Sequence, residues 1–164
     1  MENTKTVSYS CVFSAVKWFV FSAGALLIFT GFAKIWSAFG SAELLVVKDP
    51  LVGIPFRDLL IAVGVLETVI GCICFFSKNK WLAAFFIACL ATNLLIYRFS
   101  LWCINWYSPC HCLGNLTDAI HISPQVADNV MKGVLAYLLV GSYATLLWLW
   151  RQRKKAIAAP VPGQ

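Results

Sequence analysis

The sequence predicts an all-α integral membrane protein, a four-helix bundle with both termini in the cytoplasm. Of its 164 residues, 60% are hydrophobic and only 12% are charged, which is more apolar surface than one soluble domain of this length buries. Four apolar stretches are each long enough to cross a bilayer, so the C-terminus returns to the side of the N-terminus. We predict spans at residues 18–39, 59–76, 81–103 and 130–150.

The first span follows a polar to mixed segment, residues 1–17, which we assign to the cytoplasm. A cleaved signal peptide is the alternative, with small residues at 37–42 as its cleavage site. The apolar run is longer than a signal sequence requires and Lys34 interrupts it, so we expect an uncleaved helix.

The connections between spans differ in length. Residues 40–58 contain Asp49-Pro50 and Gly53, and they predict a loop or a short helix at the membrane interface. The short polar turn 77–80 makes the second and third spans antiparallel neighbours. Residues 104–129 form a polar outer loop that separates the third span from the fourth.

Positive charge indicates the orientation. The proposed cytoplasmic side carries Lys5, Lys17, Lys78, Lys80, Arg151, Arg153, Lys154 and Lys155. The opposite side mixes its cations with Glu43, Asp49, Asp58, Asp118 and Asp128. The positive-inside rule therefore predicts cytoplasmic termini and an outer loop in the periplasm of a bacterial inner membrane. Residues 151–164 read as a basic, disordered cytoplasmic tail.

The formal net charge of +6 indicates lipid rather than nucleic acid as the partner of the basic residues. Basic residues beside apolar spans are typical of the positive-inside rule and of contact with anionic lipid. The chain has no basic, aromatic-interleaved soluble patch that would favour nucleic-acid binding.

Three ionisable residues are predicted at membrane depth: Lys34, Glu67 and Arg98. Each follows or lies between small residues at helical spacing, which marks helix contacts in lipid. The small residues are Gly24, Gly31, Gly64, Gly71, Ala84 and Ala91. One interpretation is a buried salt bridge that determines helix register. The other is a polar cluster that moves protons or binds the head group of a quinone, the one candidate cofactor.

The seven cysteines divide by their predicted environment. Cys72, Cys74 and Cys89 fall within spans, where a thiol is usually a small inert hydrophobe, and Cys11 falls on the cytoplasmic side. The remaining three, Cys103, Cys110 and Cys112, fall on the oxidising side, where disulfides persist.

The segment Cys110-His111-Cys112 allows three interpretations. A disulfide across so small a loop is strained and exchanges readily, which favours redox transfer with Cys103 as an auxiliary thiol. A purely structural disulfide removes little entropy from the unfolded chain at this loop length. A zinc or copper site would combine the three cysteines with His111 or His121.

The chain resembles the methylamine-utilisation MauE family, within the DoxX-like group of four-span membrane proteins. The resemblance covers most of residues 18–150. It depends on Thr30-Gly31-Phe32-Ala33-Lys34, on Leu66-Glu67 followed by Gly71, and on Cys110-His111-Cys112-Leu113-Gly114. The last is similar to the family's C-G-C-F-G pattern, from which it departs at His111 and Leu113.

The resemblance implies a role in maturing a disulfide-rich client protein, in that family a subunit of methylamine dehydrogenase, beside a thioredoxin-like extracytoplasmic protein. We therefore expect thiol-disulfide exchange or electron transfer through Cys110 and Cys112, with His111 tuning the thiols. The alternatives are a non-enzymatic membrane assembly subunit, a Cys/His metal-binding membrane protein and a transporter, the last supported by the intramembrane charges alone.

Overall fold

The computed structural model describes residues 3–40, 45, 47–105 and 124–158. These residues form four long helices: α1 (Asn3–Ala38), α2 (Phe56–Phe76), α3 (Lys80–Cys103) and α4 (Pro124–Ala158). All four contain a stretch long and apolar enough to cross a membrane. The predicted all-α, four-helix fold is confirmed over the described residues.

Two of the helices extend well beyond the predicted spans. α1 begins at Asn3 rather than near residue 18, and α4 runs from Pro124 to Ala158 rather than from 130 to 150. Hydropathy locates the apolar stretch of a helix but not its polar ends. Disorder was predicted from residue 151, whereas residues 151–158 continue α4. Arginine, lysine, glutamine and alanine there are strong helix formers, and cations are favourable at a helix C-terminus.

Local signals explain where the other helices begin and end. Pro55 precedes the first turn of α2, and Asp58 within that turn suits the positive end of the helix dipole. The side chain of Asn79 caps α3 by accepting a hydrogen bond from the Trp81 amide at 3.2 Å. Asn105, just past the end of α3, adopts a left-handed backbone conformation that asparagine tolerates.

α1 and α2 pack closely against each other at four glycines. A methyl group at Gly31 would lie 2.6 Å from the carbonyl oxygen of Gly64, and one at Gly64 would lie 2.8 Å from that of Gly31. Gly24 and Gly71 repeat this arrangement seven residues away along both helices. The two backbones therefore touch without intervening side chains, as small residues permit in membranes.

The core lies where all four helices converge. Its buried members are Val20, Ala23, Leu27, Ile70, Cys74, Ala83, Ile87, Leu90, Ala91, Leu135 and Leu138. α4 completes the bundle through the ring of Phe19, which packs on Gly141 and lies 5.5 Å from the ring of Tyr137. Large apolar side chains, including Trp18, Trp36 and Trp102, are exposed on the outer surface, as expected for helices surrounded by lipid.

Replacing Gly31 by alanine tests the contact between α1 and α2. The added methyl group would meet backbone of α2 that cannot rotate away, so we expect the free energy of unfolding in detergent to fall by about 1–3 kcal/mol. Gly133→Ala is the matched control because a methyl group there meets nothing within 4 Å. It should be neutral or stabilising, since alanine favours helix over glycine. Equal effects of the two substitutions would contradict the close approach.

Candidate functional site

A buried ion pair joins α1 to α2 beside the glycine contact. The ammonium of Lys34 donates to Oε1 of Glu67, and these two residues are only 5% and 2% exposed. Lys34 follows Gly31 by three residues and Glu67 follows Gly64 by three. The small-residue pattern in the sequence selected both residues, together with Arg98, but did not indicate which of the three would pair.

Helix geometry explains why these two side chains meet. Side chains on a helix lean toward its N-terminus, and α1 and α2 run in opposite directions. Gly31 contacts Gly64 and Thr68, which places Lys34 and Glu67 on opposite sides of this crossing point. Each side chain consequently leans toward the other, and the pair spans the offset between their backbones.

The pair leaves polar atoms without partners inside the bundle. Oε2 of Glu67 and Oγ of Ser37, one turn beyond Lys34, are buried and accept or donate no hydrogen bond among the described residues. Taking two charges out of water is costly unless the remaining hydrogen-bonding sites are also satisfied. The interior between α1 and α2 therefore contains two polar atoms that could form further hydrogen bonds.

Arg98, the third predicted member of the polar cluster, has a different partner. Its guanidinium lies 3.1 Å from Oδ1 of Asp128 on α4, and Asp128 also pairs with Lys132 at 2.7 Å. Arg98 and Asp128 remain partly exposed. The structure thus brings Lys34 and Glu67 together, whereas it uses Arg98 to join the end of α3 to the start of α4.

A second buried carboxylate, Asp49, was not selected by the sequence analysis. It is 3% exposed, and its Oδ1 accepts hydrogen bonds from the amides of Leu51 and Val52 at 2.8 and 3.0 Å. Its Oδ2 accepts a hydrogen bond from the hydroxyl of Tyr97 on α3. The sequence Asp49-Pro50 and Gly53 predicted a turn here, and the turn is present, but nothing in the sequence indicated Tyr97.

This turn lies at the end of the bundle where α1 and α3 end and α2 begins. The amide of Asp49 donates to the carbonyl of Ile54 at 2.9 Å, and that of Phe56 donates to Val47 at 3.0 Å. Arg57 donates to the carbonyl of Ala38 at 2.9 Å, which ties the start of α2 to the end of α1. Hydrogen bonds from α1, α2 and α3 therefore hold this end of the bundle together.

Cys72, Cys74 and Cys89 lie within candidate membrane spans, where the sequence placed them. Cys74 is buried, Cys72 is half-buried, and both are free thiols, as expected for residues two apart on a helix. Cys89 is exposed on the surface of α3. Cys103 is exposed at the last turn of α3, next to the connection that leads to the predicted redox segment.

The remaining predicted site residues, Cys110, His111 and Cys112, lie outside the described residues, as does His121. The side chains in the part of the chain that the structure describes include no group of three histidine, cysteine or acidic residues suited to holding a metal ion. The predicted Cys/His metal set has only Cys103 in that part, so both the redox and the metal interpretations stay predictions.

Comparison with protein families, with curated proteins and with solved structures finds no match to this chain. The resemblance to the MauE family stays a prediction on the residues quoted above, and function must be inferred from the site.

Replacing Lys34 by methionine tests the buried pair. The substitution would leave Glu67 buried without its counter-charge, so we expect the free energy of unfolding to fall by about 3–5 kcal/mol. Lys34→Met/Glu67→Met should recover most of that loss, because two apolar side chains need no desolvated partner. Lys132→Met is the control: the Lys132 side chain is 62% exposed, and loss of its charge should cost under about 1 kcal/mol. A double variant no more stable than Lys34→Met would contradict the pairing.

Tyr97→Phe tests the contact between α3 and the turn. We expect amide hydrogen exchange at Asp49, Gly53 and Phe56 to accelerate about tenfold or more, because a hydrogen bond to a carboxylate is lost. Mass spectrometry of the exchanged peptides measures this. Tyr143→Phe is the matched control, since it removes a hydrogen bond to Thr92 elsewhere between α3 and α4. If both variants exchange alike at residues 47–56, Tyr97 does not hold the turn.

Proposed function

We propose that this protein supports thiol-disulfide exchange, or the electron transfer coupled to it, on the extracytoplasmic side of a membrane. The exchanging residues would be Cys110 and Cys112, with Cys103 as the auxiliary thiol and His111 beside them. The observation that supports this most directly is the exposed free thiol of Cys103 at the end of α3, seven residues before Cys110.

The helix ends on either side of the cysteine segment support the proposal further. α3 ends at Cys103 and α4 begins at Pro124, and Arg98 and Asp128 join these two helices near those ends. The two ends of the connecting chain therefore lie at the same end of the bundle. Under this proposal, the segment between them would meet its protein partner there while the helices stay in the membrane.

The chemistry of the proposed exchange is a sequence of two thiolate attacks. With the Cys110-Cys112 bond oxidised, a client thiolate attacks one sulfur and releases the other as a thiolate, which forms a mixed disulfide. A second client thiolate then attacks the client sulfur of that bond. The client gains a disulfide, this chain gains two thiols, and a thioredoxin-like partner's disulfide reoxidises them.

The buried pair contributes to this proposal as a support for the bundle rather than as an electron carrier. Lys34 and Glu67 are enclosed by α1 and α2, so the head group of a quinone would reach them only if the helices separated. We therefore assign the exchange to the thiols. A quinone would accept electrons only by binding elsewhere on the protein.

The orientation belongs to the same proposal. The charges at the ends of the four helices support cytoplasmic termini by the positive-inside rule. The cysteine segment then faces the periplasm of a bacterial inner membrane, where its disulfide persists. Maturation of a disulfide-containing client, of the methylamine dehydrogenase type in the family that this chain resembles, fits that compartment.

Cys112→Ser tests the exchange by trapping its intermediate. Without Cys112 the Cys110-Cys112 disulfide cannot form, but the Cys110 thiolate can still attack the disulfide of the thioredoxin-like partner, and no Cys112 thiol remains to release the resulting bond. We therefore expect a covalent adduct between Cys110 and this extracytoplasmic partner, visible on non-reducing gels and released by dithiothreitol. Cys89→Ser is the control, because Cys89 is exposed on the flank of α3 and should not affect trapping. Cys110→Ser/Cys112→Ser should form no adduct.

Other outcomes would favour the alternatives. If neither cysteine changes redox state in cells while Cys110→Ser/Cys112→Ser still supports its partner, the chain is a non-enzymatic assembly subunit. If intact mass shows a retained zinc or copper ion rather than the loss of two hydrogens, the segment is a metal site. Either result would contradict exchange.

A further inference from the structure

One end of the bundle, which we call the basic end, carries only positive charge among its described residues. It comprises the start of the α1 span, the turn between α2 and α3, and the last turns of α4. Its cations are Lys17, Lys78, Lys80, Arg151, Arg153 and Lys154. The described acids Asp49, Asp58 and Asp128 lie toward the opposite end, and Glu67 is buried against Lys34.

Aromatic rings fix the position of two of these cations. The guanidinium of Arg153 lies 5.1 Å from the centre of the Trp81 ring, which itself stacks on Phe85. The ammonium of Lys154 lies 4.0 Å from the centre of the Trp150 ring. Both contacts have cation–π geometry. The first joins the end of α4 to the start of α3, so the charge is held against the bundle.

The same rings indicate the depth of the basic end in the membrane. Tryptophan prefers the headgroup level of a bilayer, and Trp81 and Trp150 lie at the ends of their apolar helices. Cations held against these indoles are consequently at the level of lipid phosphates. The negative charges nearest to these cations are therefore the lipid headgroups. This position favours lipid, rather than a soluble nucleic acid, as the binding partner of the basic end.

We propose that the basic end binds anionic phospholipid headgroups and selects them over zwitterionic ones. Each lysine or arginine near an anionic surface adds to the attraction. Arginine also forms paired hydrogen bonds with phosphate oxygens, and Arg151 and Arg153 supply two guanidinium groups for this purpose. This binding is independent of the proposed thiol exchange, which takes place at the opposite end of the bundle.

The test measures lipid selectivity of the full chain in phosphatidylcholine vesicles. Spin-labelled phosphatidylglycerol and phosphatidylcholine report the association constant of each lipid with the protein surface. We expect phosphatidylglycerol to be preferred by about threefold or more. Arg151→Gln/Arg153→Gln/Lys154→Gln should reduce this preference toward equality. Arg151→Gln alone retains both ring contacts and should reduce the preference only partway. Because it leaves these packing contacts intact, it distinguishes the effect of lost charge from that of altered folding.

The matched control removes positive charge at the opposite end. Lys48→Gln/Lys132→Gln should retain more of the preference than the triple variant, although it changes two charges. A wild-type protein without preference, or a triple variant with undiminished preference, would overturn the proposal. So would a wild-type protein that shows no lipid preference yet binds a single-stranded oligonucleotide through the same three residues.

Discussion

The close approach of α1 and α2 is the constraint on which the rest of the structure depends. Helices in lipid gain little from hydrophobic burial against one another, so van der Waals contact between closely packed backbones has to supply much of their association. Glycines at 24, 31, 64 and 71 allow that contact. Larger side chains at the same positions would separate the helices and place the ammonium of Lys34 beyond reach of Glu67.

The buried pair in turn makes the helix contact specific. Gly31 could meet a neighbouring helix at several offsets, since apolar surfaces slide with little penalty. An ammonium enclosed in the bundle has few acceptable positions, because every misaligned register leaves it without a carboxylate. The glycines thus allow the close approach of α1 and α2, and the pairing of Lys34 with Glu67 favours one register between them. The Asp49 turn follows α1 and contacts Tyr97 near the end of α3, so its position depends on that register.

Much of this arrangement could be predicted from sequence, and the exceptions share a cause. Hydropathy predicted four spans, and the spacing of small residues with similar depths predicted a polar cluster of Lys34, Glu67 and Arg98, of which the first two pair with each other. The partner of Arg98 was missed because Asp128 fell in a presumed loop, although α4 already includes it. Asp49 and Tyr97 were missed because their contact joins positions 48 residues apart, and no local pattern encodes such a pairing. Cys110 and Cys112 lie outside the described residues and stay predictions.

The pairing of helices also divides the molecule into two hairpins. α1 and α2 form one through their glycines, and α3 and α4 form the other. The buried ion pair and the Asp49 turn belong to the first, whereas Cys103 belongs to the second. Cys103 therefore lies apart from the glycine contact between α1 and α2, although Tyr97 and the shared core still join the two hairpins. Variation in the second hairpin is therefore compatible with an unchanged first hairpin, in which the glycine contact preserves the shared architecture.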